Sequence, residues 1–262
     1  MKWKTFVIGY VLALAILLFA QRHTAPAQGS GFTAVLDLSH VVSSNAPAYE
    51  LRERSVIHAK TAATLEKLGY SAREMSLPEH LDTYIDAPAH FTPGLWTVNK
   101  IPAERLVAPL AVLDVRAGVE KNPDYQVSID DIAAWEKAHG QIPQGAVVVA
   151  RTGWESHWNS VKDYRNADAK GVMHFPGYSP EAARFLVEGR NTIGLGIDTL
   201  SIDYGPSKDF PVHQYTLSHS LYHLENVANL GPVPVAGTMV VVAPMKLAGG
   251  SGGPVRVLAL AK

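Results

Sequence analysis

Two prolines, Pro78 and Pro88, bracket the most chemically loaded stretch of this chain and rule out a continuous helix through it. Proline lacks a backbone N–H, and its ring clashes with the preceding helical turn. The segment His80-Leu81-Asp82-Thr83-Tyr84-Ile85-Asp86-Ala87-Pro88-Ala89-His90 is therefore expected to run extended. Side chains of an extended segment alternate between two faces. His80, Asp82, Tyr84, Asp86 and His90 all hold even positions, so the pattern predicts that they point roughly the same way. Imidazoles and carboxylates converging on one spot suit a divalent transition metal, with a spare histidine for proton transfer.

The chain has 262 residues, and its opening reads as an export signal. Lys2 and Lys4 form a positive start, Phe6 to Ala20 is an almost unbroken apolar run, and Ala25-Pro26-Ala27 offers a small-x-small cleavage site. The run is short for a membrane span, which needs about 20 apolar residues. We therefore expect a signal peptide over 1–27, a mature domain over 28–262 and a periplasmic or secreted protein with no stable membrane insertion after cleavage. There is no cysteine, so any metal site must be built from His, Asp, Glu and Tyr. Lys plus Arg number 23 against 24 for Asp plus Glu, and no basic run or face appears. That balance argues against a nucleic-acid partner and for a small-molecule one.

The mature length suits one domain with a full core. Short Val/Ile/Leu-rich runs bounded by turn residues predict strands at Ala34–Leu38, Ala108–Val115, Ala146–Ala150, Thr192–Ile197, Thr238–Ala243 and Val255–Ala261. Helices are expected over Val127–His139, with Ser128 as N-cap, and over Ala182–Glu188, opened by Ser179 and Pro180. A third is expected over Gln214–His223. The outcome is a mixed α/β single domain around a largely buried sheet.

A second dense stretch runs from Asp209 to Asn226 and holds His213, His219, His223 and Glu225. His219 and His223 are four apart and would share a helix face. Without a companion glutamate, a polar helix face or satisfied histidines is the plainer reading of that pair. His213 and Glu225 bracket the expected helix, and a strand–helix–strand excursion would bring them together.

With both stretches in view, the chain resembles the metal-dependent cyclase/kynurenine formamidase family, which includes bacterial arylformamidases and isatin hydrolases. The family pattern His-x-Gly-Thr-His-x-Asp-x-Pro-x-His is matched by His80 through His90. Asp37-Leu38-Ser39-His40, Arg151-Thr152-Gly153-Trp154, Gly196 to Asp203, Asp209 to His213, Val241 to Leu247 and Gly252 to Arg256 follow in family order. The resemblance implies the family's swivelling β/β/α fold and a dimer or tetramer. It also implies metal ligation by His80, Asp86, His213 and Glu225, with Asp86 bridging where two ions are held, and His90 as general acid/base. The cofactor implied is one or two divalent ions, Zn2+ or Mn2+.

Two positions depart from the pattern. Asp82 stands where the family has glycine, and Tyr84 where it has a second histidine ligand. A phenol is a poorer ligand than imidazole, with a reference pKa of about 10. Asp82, on the same face in an extended segment, could supply the missing donor; alternatively one metal position has been lost. The expected chemistry is attack of metal-activated water on a small cyclic amide or an N-formyl/aryl amide. Phe91, Trp96, Trp154 and Trp158 are candidates to line a pocket for an aromatic ring. No Gly-x-Ser-x-Gly elbow offers a serine route. The competing expectation is a secreted binding protein of the same fold that has lost catalysis at Tyr84.

Overall fold

The computed structural model describes residues 31–49 and 57–262, so the expected signal peptide lies outside the described residues. The chain starts with β1 (Ala34–Asp37) and a largely exposed hairpin of β2 (His58–Ala63) and β3 (Ala72–Ser76), with one helical turn, α1 (Leu65–Leu68), at its tip. Then come β4 (Tyr84–Asp86), β5 (Val107–Asp114), the short α2 (Arg116–Val119), β6 (Gln126–Val127) and α3 (Ile129–His139). β7 (Val147–Arg151), α4 (Val161–Arg165), β8 (Gly177–Tyr178), α5 (Pro180–Arg190) and β9 (Gly194–Ile197) lead to α6 (Pro211–Ser218). The chain ends in β10 (Tyr222–Glu225), β11 (Thr238–Pro244) and β12 (Gly252–Ala261).

Seven of these strands close into a barrel in the order β12-β11-β5-β7-β9-β10-β4, with β4 returning to β12. β5, β7, β9 and β10 run parallel, and the remaining pairings are antiparallel. β12 is long enough to pair with β4 through Gly252–Pro254 and with β1 through Leu258–Ala261. The barrel interior is filled by Ile85, Leu110, Val112, Val147, Val149, Leu224, Val240, Val242 and Val257. At β9 the interior positions are Gly194 and Gly196. A Cβ on Gly194 would lie 2.7 Å from the Tyr222 ring, and one on Gly196 would lie 2.9 Å from Val149, so neighbours already occupy that space.

Alternation sends Ala111, Leu113, Val148, Ala150, Leu195 and Ile197 to the outer face. There they pack on Ile132 and Trp135 of α3 and on Ala182, Ala183 and Leu186 of α5. Burial on both faces explains why β5 and β7 read as continuous apolar runs rather than alternating ones. α3 begins with the expected Ser128 cap, reinforced by a reciprocal bond in which Asp131 accepts from the Ser128 N–H at 2.8 Å. α5 is capped by Ser179 with Pro180 in its first turn, and runs on to Arg190.

Two local expectations are corrected. The third helix spans Pro211–Ser218 rather than Gln214–His223, because the chain turns through a left-handed Ser220 (φ 61°) and enters a strand at Tyr222. The His80–His90 segment forms a strand only over Tyr84–Asp86. Asp82 is left-handed (φ 55°), and Pro88–His90 forms a 3-10 turn. Among the described residues no helix is long and apolar enough to cross a membrane.

Candidate metal centre

β4 and β10 are antiparallel neighbours, with His223 opposite Asp86 and Glu225 opposite Tyr84. Ile85 and Leu224 between them fill the barrel, so Tyr84, Asp86, His223 and Glu225 all face the other way. α6 lies against this face and lowers His213 onto it. The result is a buried cluster of Asp86, His213, His223 and Glu225, with a second group of His80, Asp86 and His90 beside it. Asp86 belongs to both.

The two Asp86 oxygens look in different directions. Oδ1 is 2.7 Å from His80 Nδ1. Oδ2 is 3.4 Å from His213 Nε2 and 3.6 Å from His223 Nδ1. His213 Nε2 also stands 3.3 Å from Glu225 Oε1. Neither Asp86 oxygen, both fully buried, receives an aligned hydrogen bond among the described residues. A buried carboxylate in that condition is costly unless a cation or proton satisfies it. The residues present therefore fit a divalent ion: two carboxylates and neutral imidazoles, with no thiolate, suit zinc or manganese.

The surroundings orient these groups. Asp203 Oδ2 accepts from His213 Nδ1 at 2.7 Å, which leaves the Nε2 lone pair facing Asp86 and Glu225. Glu225 Oε1 accepts from the Ile202 N–H at 2.6 Å, and its Oε2 accepts a short hydrogen bond from the Tyr84 hydroxyl. Ser251 donates to Glu79 at 2.7 Å and so receives a proton from His80 Nε2, 3.1 Å away.

Burial alone would raise the pKa of Asp86, but the imidazoles of His213, His223 and His80 hold it well below the usual carboxylate range. Burial likewise opposes charge on His213, yet Asp203, Asp86 and Glu225 raise its pKa well above that of a free imidazole. The cluster thus demands positive charge, which protons or a metal ion can supply. His90 behaves oppositely: burial pushes it down to about 4, leaving a neutral ring able to accept a proton. Burial, with Glu225 and Asp86 nearby, pushes the Tyr84 hydroxyl well above the ordinary phenol value, so Tyr84 is a neutral donor to Glu225 rather than a phenolate.

The centre forms the floor of a pocket of about 410 Å3. His80, Tyr84, His90, His213 and Glu225 line its base, and Tyr49, Phe91, Leu200 and Phe210 its apolar walls. Of the four aromatics expected there, only Phe91 is present. Trp154 and Trp158 belong to a separate core cluster, and Trp96 packs on the barrel core. Phe210 was not anticipated; it sits left-handed (φ 47°) just before α6.

The structure thus brings His80, Asp86, His90, His213 and Glu225 together. Asp82 joins neither group: its left-handed backbone breaks the alternation, and its carboxylate is buried away from the cluster. His223 was assigned to a helix face and is instead at the centre. Its signal was the i, i+2 spacing to Glu225, which is strand spacing. Asp203 lay inside the Gly196–Asp203 match, which gave it no role.

Comparison with known proteins agrees with this architecture. The Cyclase family model matches residues 36–204. An isatin hydrolase of Roseibium aggregatum is 30% identical over 246 residues, covering 88% of this chain and 93% of the relative. A kynurenine formamidase of Paracidovorax citrulli is 25% identical over 185 residues, covering 70% of this chain and 77% of the relative. Among solved structures, isatin hydrolase A from Ralstonia solanacearum superposes with a TM-score of 0.81 at 33% identity, over 87% of this chain and 92% of its own. The chain therefore belongs to the Cyclase family and is a hydrolase of carbon–nitrogen bonds other than peptide bonds.

Proposed function

We propose that this protein hydrolyses a small aryl amide, opening a cyclic amide or removing an N-formyl group. The observation that carries the reading is the buried Asp86 carboxylate, without an aligned hydrogen bond and ringed by imidazoles, beneath an aromatic-walled pocket that His80, His213 and Glu225 line. Asp86, His213 and Glu225 would hold a divalent zinc or manganese ion, with His80 on the other Asp86 oxygen. A bound ion of this kind polarises a carbonyl and lowers the pKa of water from 15.7 to roughly 7.

The protein's own groups supply the rest. His90, neutral and at the pocket base, takes a proton from the attacking water and returns it to the leaving nitrogen. Asp203 keeps His213 in the tautomer whose Nε2 lone pair faces the centre. Tyr84 holds Glu225 in place through its hydroxyl. Phe91, Phe210 and Tyr49 offer flat apolar surfaces against which an aromatic ring can pack while water is excluded. The apolar run at Phe6–Ala20 supports export, which would put the reaction in the periplasm or outside the cell.

The test is elemental analysis of purified protein, followed by turnover of isatin and N-formylkynurenine with and without added Mn2+ or Zn2+. The expected result is bound metal, activity abolished by chelation and a loss on the order of 10²–10⁴-fold in His90→Ala. Metal-free protein that hydrolyses neither compound after reloading overturns the proposal.

A further inference from the structure

Tyr84 stands where the family pattern has an imidazole, and it donates its hydroxyl proton to Glu225. It orients a carboxylate and offers no lone pair of the kind a histidine would. Across the strand pair, two residues before Glu225, another imidazole faces the same cluster. His223 is fully buried and lies opposite Asp86 in the register of β4 and β10.

The hydrogen bonds around His223 decide which ring nitrogen carries its proton. Thr216 has one hydroxyl proton and gives it to the Val212 carbonyl at 2.7 Å. The same oxygen is 2.6 Å from His223 Nε2, so there it must accept, and Nε2 carries the proton. His223 Nδ1 is left with a bare lone pair, buried and without a partner. It faces Asp86 Oδ2 at 3.6 Å. That is beyond hydrogen-bond range, so a proton shared between them does not account for the arrangement.

The spacing suits a metal ion instead. Four bonds of about 2.1 Å in a tetrahedron place ligand atoms about 3.4 Å apart. The measured separations are 3.4 Å from Asp86 Oδ2 to His213 Nε2, 3.3 Å from His213 Nε2 to Glu225 Oε1 and 3.6 Å from Asp86 Oδ2 to His223 Nδ1. All four donor atoms lie within 4.8 Å of one another. The His80 side of Asp86 differs, since a 2.7 Å contact is too close for two ligands of one tetrahedral ion.

We infer that His223 is a metal ligand of this chain: it donates through Nδ1, is anchored by Thr216, and brings an imidazole from β10 to Asp86, His213 and Glu225 while Tyr84 on β4 brings none. The inference rests on the proposed metal centre. It places one ion among Asp86, His213, His223 and Glu225, and makes Tyr84 a positioning residue for Glu225.

Metal titration followed by calorimetry, with elemental analysis of the dialysed protein, tests it without recourse to activity. His223→Leu is expected to weaken Zn2+ or Mn2+ binding at least 100-fold, and a Tyr84→His, His223→Leu double variant to recover much of that loss. Parent protein that binds no ion overturns the metal centre itself and the ligand assignment with it. Parent protein that binds one ion, with His223→Leu binding it equally well, overturns only the assignment. If His223→Leu does not fold, Thr216→Val is read in the same titration, since it leaves the imidazole but frees its tautomer. A loss of roughly 10–100-fold supports the assignment, and unchanged affinity overturns it.

Discussion

Asp203 holds His213 twice: its Oδ2 accepts the ring Nδ1–H at 2.7 Å and the backbone N–H of the same residue at 3.0 Å. Its Oδ1 takes the Val212 N–H at 3.0 Å. The loop leading into α6 thus caps the start of that helix, where Phe210 has no capping side chain, and sets the tautomer of a candidate ligand. Asp203→Ala should cost about 1 kcal/mol of stability through the lost cap and weaken metal binding roughly 10–100-fold. Asp203→Asn, which keeps an acceptor, should lose less. Calorimetric titration of both variants checks the order; equal affinities for parent and Asp203→Ala contradict it.

Asp82 occupies a left-handed turn (φ 55°) where the family pattern carries glycine. An L-residue there costs on the order of 1 kcal/mol. Its carboxylate is also buried, and burial, only partly offset by the Ser43 backbone, pushes its pKa up to about 7. Asp82→Gly should therefore raise the melting temperature by about 2–4 °C or more and leave metal stoichiometry untouched. Loss of bound metal in this variant would restore Asp82 as a donor.

Gly252 gives His80 its room. A Cβ there would lie 2.6 Å from His80 Cε1 and 2.6 Å from the Ile85 carbonyl. Gly252 also pairs with Asp86 across β12 and β4, so the added methyl presses on the strand pair that closes the barrel. Gly252→Ala should destabilise the fold by about 1–3 kcal/mol and lower kcat/KM at least 10-fold. Urea unfolding and steady-state kinetics measure the two effects, and a variant with parental values in both contradicts the packing.

His40 is a separate source of pH dependence. Its ring stacks on Trp158 with centroids 3.6 Å and planes 5° apart, and burial pushes its pKa down to about 4. The unfolded chain takes up this proton near pH 6.5, the folded chain only near 4. The unfolded state therefore binds more protons in that window, and stability falls as pH is lowered through it. His40→Phe retains a stacked ring and does not titrate. Its loss of stability between about pH 7 and pH 5 should be smaller than the parent's, by urea midpoints at both values. An equal loss would show that His40 does not titrate as described.

Much of the barrel was legible from the chain alone. Val107–Asp114 and Val147–Arg151 are apolar runs buried on both faces, and Thr238–Pro244 and Gly252–Ala261 are Val- and Ala-rich runs with alternating burial, so each leaves a plain local signature. The caps at Ser128 and Ser179 were equally clear, because a cap is a contact over three residues. Tyr222–Glu225 failed for the opposite reason. Four residues beside a helix carry too little periodicity to tell a strand from one more turn, and only pairing with β4 and β9 makes them a strand.

The same division runs through the site. Its raw chemistry is readable from residue types: a cysteine-free set of imidazoles and carboxylates in two stretches, with His80, Asp86 and His90 in one and His213 and Glu225 in the other. Residue type dictates what a side chain can donate, and short spacing dictates what neighbours along the chain can share. Folding is what sets His223 against Asp86, joins Tyr84 to Glu225 and turns Asp82 out of the cluster. Those relationships depend on strand register between Asp86 and His223, with 136 residues of chain between them, and on one left-handed turn. Neither leaves a mark in the local pattern of residues.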